Sequence, residues 1–280
     1  IISSSKPAST LPARDFTNVS WSTGVVINPP AFDHRMSYAI SVARAARNPA
    51  LEELYFYGPH PGNFAFEIGN PNLESEHALG LDASFRWRSP RFSAEVTYFR
   101  NSIADYIFRN PVDGLPEEEE VAHEGHLHED FPVIEYVARD SLLHGIEVHA
   151  DVQLASRWFA DGGVDYVRGQ LNDTGEPLPR IPPFRVRGSL RYQYDAFNAG
   201  VEVTRVARQD RTFGIETPTD GYALARLFAS YSFMMGRVVN TVTARVDNLT
   251  NQLYRNHLSY VKDFVAETGR TFKVVYNVRF

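Results

Sequence analysis

The amino-acid sequence predicts an all-β protein, an antiparallel transmembrane β-barrel, on three observations. Apolar and polar side chains alternate with period two, the alternation recurs in eleven segments, and the connections between segments are short and long in turn. Side chains of a strand point to opposite faces by turns, so this alternation describes a sheet with one apolar and one wet face. The last segment shows it best. Phe272, Val274, Tyr276, Val278 and Phe280 share one face, while Thr271, Lys273, Asn277 and Arg279 share the other.

Composition sets bounds on that reading. Mean hydropathy is −0.31, and no run in the 280 residues approaches the roughly 18 to 20 apolar residues of a membrane-spanning helix. A helical membrane protein is excluded, but a barrel is not, because only alternate residues of its strands need be apolar. An aromatic content of 13% suits interfacial girdles. There are no cysteines, which permits an oxidising compartment without indicating one. The chain starts Ile1-Ile2-Ser3, with no Met, basic n-region or apolar h-region. An outer-membrane protein needs a signal peptide, so this start is expected to be the cut edge of a longer polypeptide.

The alternating segments fall at about 15–27, 34–47, 74–88, 91–108, 133–154, 157–170, 183–194, 197–209, 221–234, 237–248 and 269–280. In the third, Leu79, Leu81, Ala83, Phe85 and Trp87 oppose Gly80, Asp82, Ser84, Arg86 and Arg88. Charge on the second face suits a water-filled lumen better than a packed core. Short links lie near Pro29-Pro30, Ser89-Pro90, Ala155-Ser156, Asp195-Ala196 and Met235-Gly236, and long ones near 48–73, 109–132, 171–182, 210–220 and 249–268. Short periplasmic turns and long extracellular loops are the pattern of outer-membrane barrels. The last strand leaves a long loop, so Phe280 and the C-terminus are expected on the periplasmic side. Eleven strands with termini on opposite sides cannot close an even-numbered barrel, which predicts the C-terminal part of a larger one.

One long connection carries chemistry. Residues 117–130 read EEEEVAHEGHLHED, with seven acids, His123, His126 and His128, and no Lys or Arg. Those acids outnumber the net charge of −6, so the rest of the chain is close to neutral. Imidazole suits zinc, copper and nickel, and carboxylates add hard oxygen ligands. The spacing His123-x2-His126-x-His128, with Glu124, Glu129 and Asp130 beside it, reads as a metal-capture loop. The alternative is a solvated acidic tract, as most charge runs are. His60 and His257, in other long loops, are candidate second-stage ligands, and His149 lies on the polar face beside Glu147 and Asp151. An ordinary hydrogen-bonded histidine is the competing reading for each.

No HExxH pair, phosphate-cradling glycine loop or GxSxG elbow is present, so no enzyme activity is expected. The acidic balance and the lack of a basic patch disfavour nucleic acid.

Two stretches carry a resemblance. Arg47-Asn48-Pro49 to Glu53-Leu54, then Gly58-Pro59-His60, then FEIGNPNLESE (66–76) resembles the barrel signature of TonB-dependent outer-membrane receptors. The ending VDNLTNQLYRNHLSYVKDFVAETGR and the final Phe280 are similar to that family's C-terminal region. The resemblance implies a 22-stranded barrel of which this chain is the C-terminal half, without the plug domain or the TonB-contacting segment. Arg255-Asn256-His257-Leu258-Ser259, Lys262-Asp263 and the His/acid loop further resemble the zinc-uptake branch. The function implied by the resemblance is TonB-dependent import of a scarce ligand, with Zn²⁺ as cargo and no prosthetic group. The expected partners are the TonB–ExbB–ExbD complex, outer-membrane lipid and, through the strand ending at Phe280, the barrel-assembly machinery. The alternatives are a receptor for a ferric siderophore, haem or another chelate, and a passive outer-membrane channel. A soluble β protein would expose Phe, Trp and Tyr strand after strand.

Overall fold

A computed structural model describes residues 12–33, 35–113 and 131–279. Its strands are β1 (Trp21–Ile27), β2 (Met36–Arg47), β3 (Tyr57–His60), β4 (Ala65–Ile68), β5 (Glu76–Arg88), β6 (Phe92–Val112), β7 (Val133–Ala155), β8 (Trp158–Leu171), β9 (Arg185–Tyr194), β10 (Phe197–Val206), β11 (Tyr222–Met235), β12 (Val238–Asp247) and β13 (Thr271–Arg279). Eleven of them form one antiparallel path, β1-β2-β5-β6-β7-β8-β9-β10-β11-β12-β13. These are the eleven expected segments. β1 begins at Trp21 rather than near residue 15, and β6 runs to Val112, four residues into the stretch read as loop. No helix among the described residues is long and apolar enough to cross a membrane, which says nothing about crossing by strands.

The two faces of this wall follow the period-two rule. On the apolar face Tyr38 pairs with Phe85, Val42 with Leu81 and Ala244 with Val274. Leu79 is 51% exposed and Val274 75% exposed, as a surface solvated by acyl chains requires. Aromatic rings gather beside the short turns: Phe32 against Trp87, Trp158 against Tyr192, and Arg157 over Tyr194. They form the aromatic band expected where strands leave the hydrocarbon region.

The polar face carries cross-strand pairs. Ser41 donates to Asp82, and Arg86 pairs with Glu95 at 2.8 Å and Arg185 with Asp165 at 2.9 Å, while His149 and Asp151 pair along β7 itself at 2.9 Å. Arg226, Arg245 and Lys273, from three strands, converge on Asp247 at 2.6, 3.1 and 3.5 Å. Gly145 clears space on this face, since a Cβ there would lie 2.6 Å from the ring of Phe99 and 2.2 Å from the Tyr166 carbonyl oxygen.

The long connections are more ordered than their sequence suggests. The first, between β2 and β5, holds the five-residue helix α1 (Leu51–Tyr55) and the hairpin β3–β4. The edge of β4 pairs in parallel with the start of β7. These elements escape the period-two rule because four residues cannot display an alternation. Arg47 fixes the loop base: its guanidinium reaches Glu53 at 2.8 Å and Glu76 at 2.6 Å, while Glu76 also accepts the backbone N–H of Ile107. At the other loop base, Asn248 accepts from the Gln252 N–H and donates to the Gln252 carbonyl. Arg47, Glu53, Glu76 and Asn248, all within the two family-like stretches, are therefore loop clamps.

β6 and β7 are 21 and 23 residues long, so their hairpin rises past the neighbouring strands. A register shift between Ile103 and Tyr106 inserts one extra residue into β6. Asp105 adopts the left-handed conformation there (φ 55°), and its N–H is held by Asp140. Such a bulge re-aims the side chains beyond it. On one face of the extension Ile107 and Tyr136 pack with Leu54 and Leu73. On the other, Phe108 packs with Leu171, Leu178 and Phe213. Two small cores thus bind three long loops to one hairpin.

Candidate functional site

Between those cores lies a cavity of about 600 Å³. Its walls come from the β6–β7 extension, the β3–β4 hairpin and the loops of residues 172–184, 207–221 and 248–270. The volume lies within the range of small-molecule sites.

Three of its lining residues, Asn63, Arg109 and Tyr136, are tied together by Glu67, which is 2% exposed. The side chain pairs with Arg109 at 2.6 Å and accepts from Tyr136 Oη at 2.9 Å and Asn63 Nδ2 at 2.8 Å. A buried carboxylate is tolerated only when paired and hydrogen-bonded, and this one has three donors. The sequence holds a faint signal of it, a lone acid in the apolar run Ala65-Phe66-Glu67-Ile68.

A cationic group stands on the other side. The Tyr260 ring has Arg180 over it at 3.6 Å and Arg109 at 4.8 Å, within cation–π reach. Arg180 donates to the Ser259 carbonyl at 3.0 Å. Lys262, 4% exposed, donates to Thr217 Oγ1 at 2.6 Å and Thr219 Oγ1 at 3.0 Å. Burial pushes the Lys262 ammonium below its usual pKa. Thr219 Oγ1 accepts from Lys262 and lies within hydrogen-bond distance of His257 Nδ1, 2.9 Å away. The other ring nitrogen, Nε2, is buried with no partner among the described residues. Burial, then the charges of Lys262 and Arg180, push His257 down to about 4, so the ring is neutral at pH 7.

Aromatic rings edge the cavity. Phe64 and Phe264, from different loops, stack at 5.1 Å with planes 26° apart, and Phe131 stands 6.3 Å from Phe64. Phe64 holds a left-handed backbone (φ 50°) at the hairpin tip.

Of the sequence-derived candidates, His123, His126, His128, Glu124, Glu129 and Asp130 lie outside the described residues, as does Phe280. His60 falls on β3 with its ring 5.8 Å from Phe56 and its Nδ1 buried without a hydrogen bond among the described residues. His257 lies among Lys262, Thr219 and Arg180. Among the described residues no group of three or more His, Asp or Glu side chains is placed to hold a metal ion. Sequence reasoning does not single out Glu67, Arg109, Tyr136, Arg180 or Tyr260, which are brought together only by long-range pairing.

A strand wall with one lipid-compatible face, one charged face and ordered loops at one end defines an outer-membrane receptor barrel. Residues 3–249 match the family described as TonB dependent receptor-like, beta-barrel, and the chain belongs to that family, whose barrels reside in the outer membrane. It is 26% identical over 258 residues to the Heme/hemopexin utilization protein C of Haemophilus influenzae (strain 86-028NP), a match covering 85% of this chain and 35% of that protein. Among solved structures, Copper transporter OprC aligns with a TM-score of 0.71 and 22% identity over 86% of this chain and 36% of that one. A variant of the ferric enterobactin receptor PfeA from Pseudomonas aeruginosa aligns with a TM-score of 0.66 and 22% identity over 92% of this chain and 39% of that one. The chain spans about a third of the length of the curated relatives it matches.

Proposed function

We propose that this chain forms the C-terminal half of the barrel of a TonB-dependent importer, and that the imported cargo is a metal bound in an organic chelate. The observation that carries the reading is the cavity itself, a loop-roofed site of about 600 Å³ lined by Arg109, Arg180, Lys262 and aromatic rings. Such a lining suits an organic ligand better than a bare cation. The named relatives, for haem or hemopexin utilisation, copper and ferric enterobactin, support a metal-bearing cargo. Import would draw on the TonB–ExbB–ExbD complex, with Phe280 and the C-terminus on the periplasmic side. β13, with its apolar alternate residues, would present the strand that the barrel-assembly machinery takes up.

A second reading has its own observation, the His123-x2-His126-x-His128 pattern within the acidic run. In it the acidic field concentrates cations near the mouth, and the three imidazoles capture Zn²⁺ before release inward. One experiment separates the two. Cells lacking their own receptors, with and without tonB, express the full-length protein and are offered ⁶⁵Zn²⁺ or an ⁵⁵Fe-labelled chelate. TonB-dependent uptake of the chelate, unchanged when the three histidines become alanine, supports the first reading. TonB-dependent zinc uptake lost in the same triple variant supports the second, and no TonB-dependent uptake of either sinks both.

A further inference from the structure

We propose that the apolar face of the strand wall seats an outer-leaflet glycolipid, an acylated disaccharide bearing two phosphates, with those phosphates on Arg100, His144 and Arg168. It rests on the import reading for orientation alone, with the long connections outside the cell.

The three residues form one row. Arg100 of β6 pairs with His144 of β7, and His144 pairs with Arg168 of β8. Nearer the short turns, Tyr98, Ile146 and Tyr166 form the parallel row on the same face, and all three are exposed. Phe184 stands 6.4 Å from the Tyr166 ring. Side chains alternate with period two, so Arg100, His144 and Arg168 point the same way as these lipid-facing residues.

Basic side chains directly opposite one another weaken a sheet, since like charges across strands repel. Lumen-side guanidiniums avoid that cost, because Arg86, Arg185 and Arg226 each have a carboxylate. The side chains of Arg100, His144 and Arg168 have no hydrogen bond or ion pair among the described residues. Asp140, further along β7 on their face, is bonded to the Asp105 N–H. Arg44 and His77, 3.2 Å apart, extend the basic character of this face towards β2 and β5. An unbalanced cationic row above an apolar surface is complementary to an anionic headgroup on acyl chains.

The height of the row selects the lipid. From Phe92, beside a short turn, to Arg100, strand β6 advances roughly 27 Å at about 3.4 Å per residue. At a tilt of about 40° that is roughly 20 Å along the membrane normal, near the far edge of an apolar band about 25 Å tall. The row therefore stands at headgroup level on the long-loop side. From Arg100 to Arg168 it crosses two strand spacings, roughly 10 Å, which is wide for one phosphate and suits a headgroup carrying two. Guanidinium meets phosphate through paired, charge-assisted N–H···O bonds.

The test titrates the full-length receptor in detergent with lipid A carrying both phosphates, the same lipid A dephosphorylated, and phosphatidylglycerol, each read by native mass spectrometry. The native receptor should favour bisphosphorylated lipid A at least tenfold over either other lipid. Arg100→Gln/Arg168→Gln should abolish that preference, whereas Arg100→Lys/Arg168→Lys, which keeps the charge, should stay within fivefold of native. Arg86→Gln and Arg185→Gln, on the lumen face, should leave it unchanged. The heat-modifiable gel shift of a closed barrel shows that each variant is folded before it is compared. Phosphatidylglycerol or dephosphorylated lipid A binding within twofold of bisphosphorylated lipid A, or a double glutamine variant within twofold of native, would overturn the proposal. Binding is measured without TonB or cargo, so its failure leaves the import reading standing, and failed uptake leaves this site standing.

Discussion

Asp247 and Glu67 are both carboxylates with arginine partners, one on the strand wall and one beneath the loops. Asp247 collects Arg226, Arg245 and Lys273, with its side chain 21% exposed and its partners 39–49% exposed. Glu67 has one cation and two neutral donors but is 2% exposed. Water screens the first group and leaves its pairs worth about 0–1 kcal/mol each. The second is shielded, so removing either member strands the other. The difference teaches that charge on the wall tolerates exchange while charge under the loops holds the architecture of the cavity.

The largest break in that contrast should come from Glu67→Ala. It leaves the Arg109 guanidinium buried and unpaired, at a cost of about 3–5 kcal/mol. Limited proteolysis of the full-length receptor should show faster cleavage within 57–68, with the wall strands unaffected. Next comes Leu178→Ala in the core shared with Leu171 and Phe213. A fully buried leucine lost to a cavity costs about 2–5 kcal/mol, read as lost hydrogen-exchange protection in the 172–184 loop.

A pH effect should follow in size. His257 is held near 4, below the ordinary 6.5 of a histidine, so protons bind more readily when the loop is open than when it is packed. Loop protection is therefore complete above about pH 6.5 and falls as pH drops towards 4. Hydrogen exchange of residues 248–270 at about pH 7, above that window, and at about pH 4.5, near its lower end, should show the loss, and His257→Gln should flatten it. Smallest of all is Asp247→Asn, worth about 1 kcal/mol or less, with its residual effect diminishing further in high salt.

The wall was legible in the sequence because its rule is local. Alternation over 271–280 or 79–88 needs no knowledge of any distant residue, and the long-loop, short-turn rhythm is equally direct. The β3–β4 hairpin was not legible, since Tyr57–His60 and Ala65–Ile68 are too short and contain Gly58 and Pro59. Nor was the one-residue bulge at Asp105, which decides which of the adjacent Ile107 and Phe108 faces which core. Glu67, Arg109 and Tyr136 meet only through the β6–β7 register and the parallel edge of β4. His257 illustrates the same limit. Its residue type left open a second-stage metal ligand or an ordinary hydrogen-bonded histidine, and the neighbours that the fold gives it, Lys262, Arg180 and a threonine hydroxyl, were not legible in the sequence.

Central to this account is a division of labour in which the loop layer responds to ligand and the wall is a passive frame. Hydrogen exchange of the full-length receptor in lipid nanodiscs, with and without protoporphyrin IX, tests it most directly. Segments 57–68, 172–184 and 248–270 should gain protection together, while 238–247 and 271–279 stay unchanged. Protection confined to the wall strands, or no change in any of the three loops, would contradict the account.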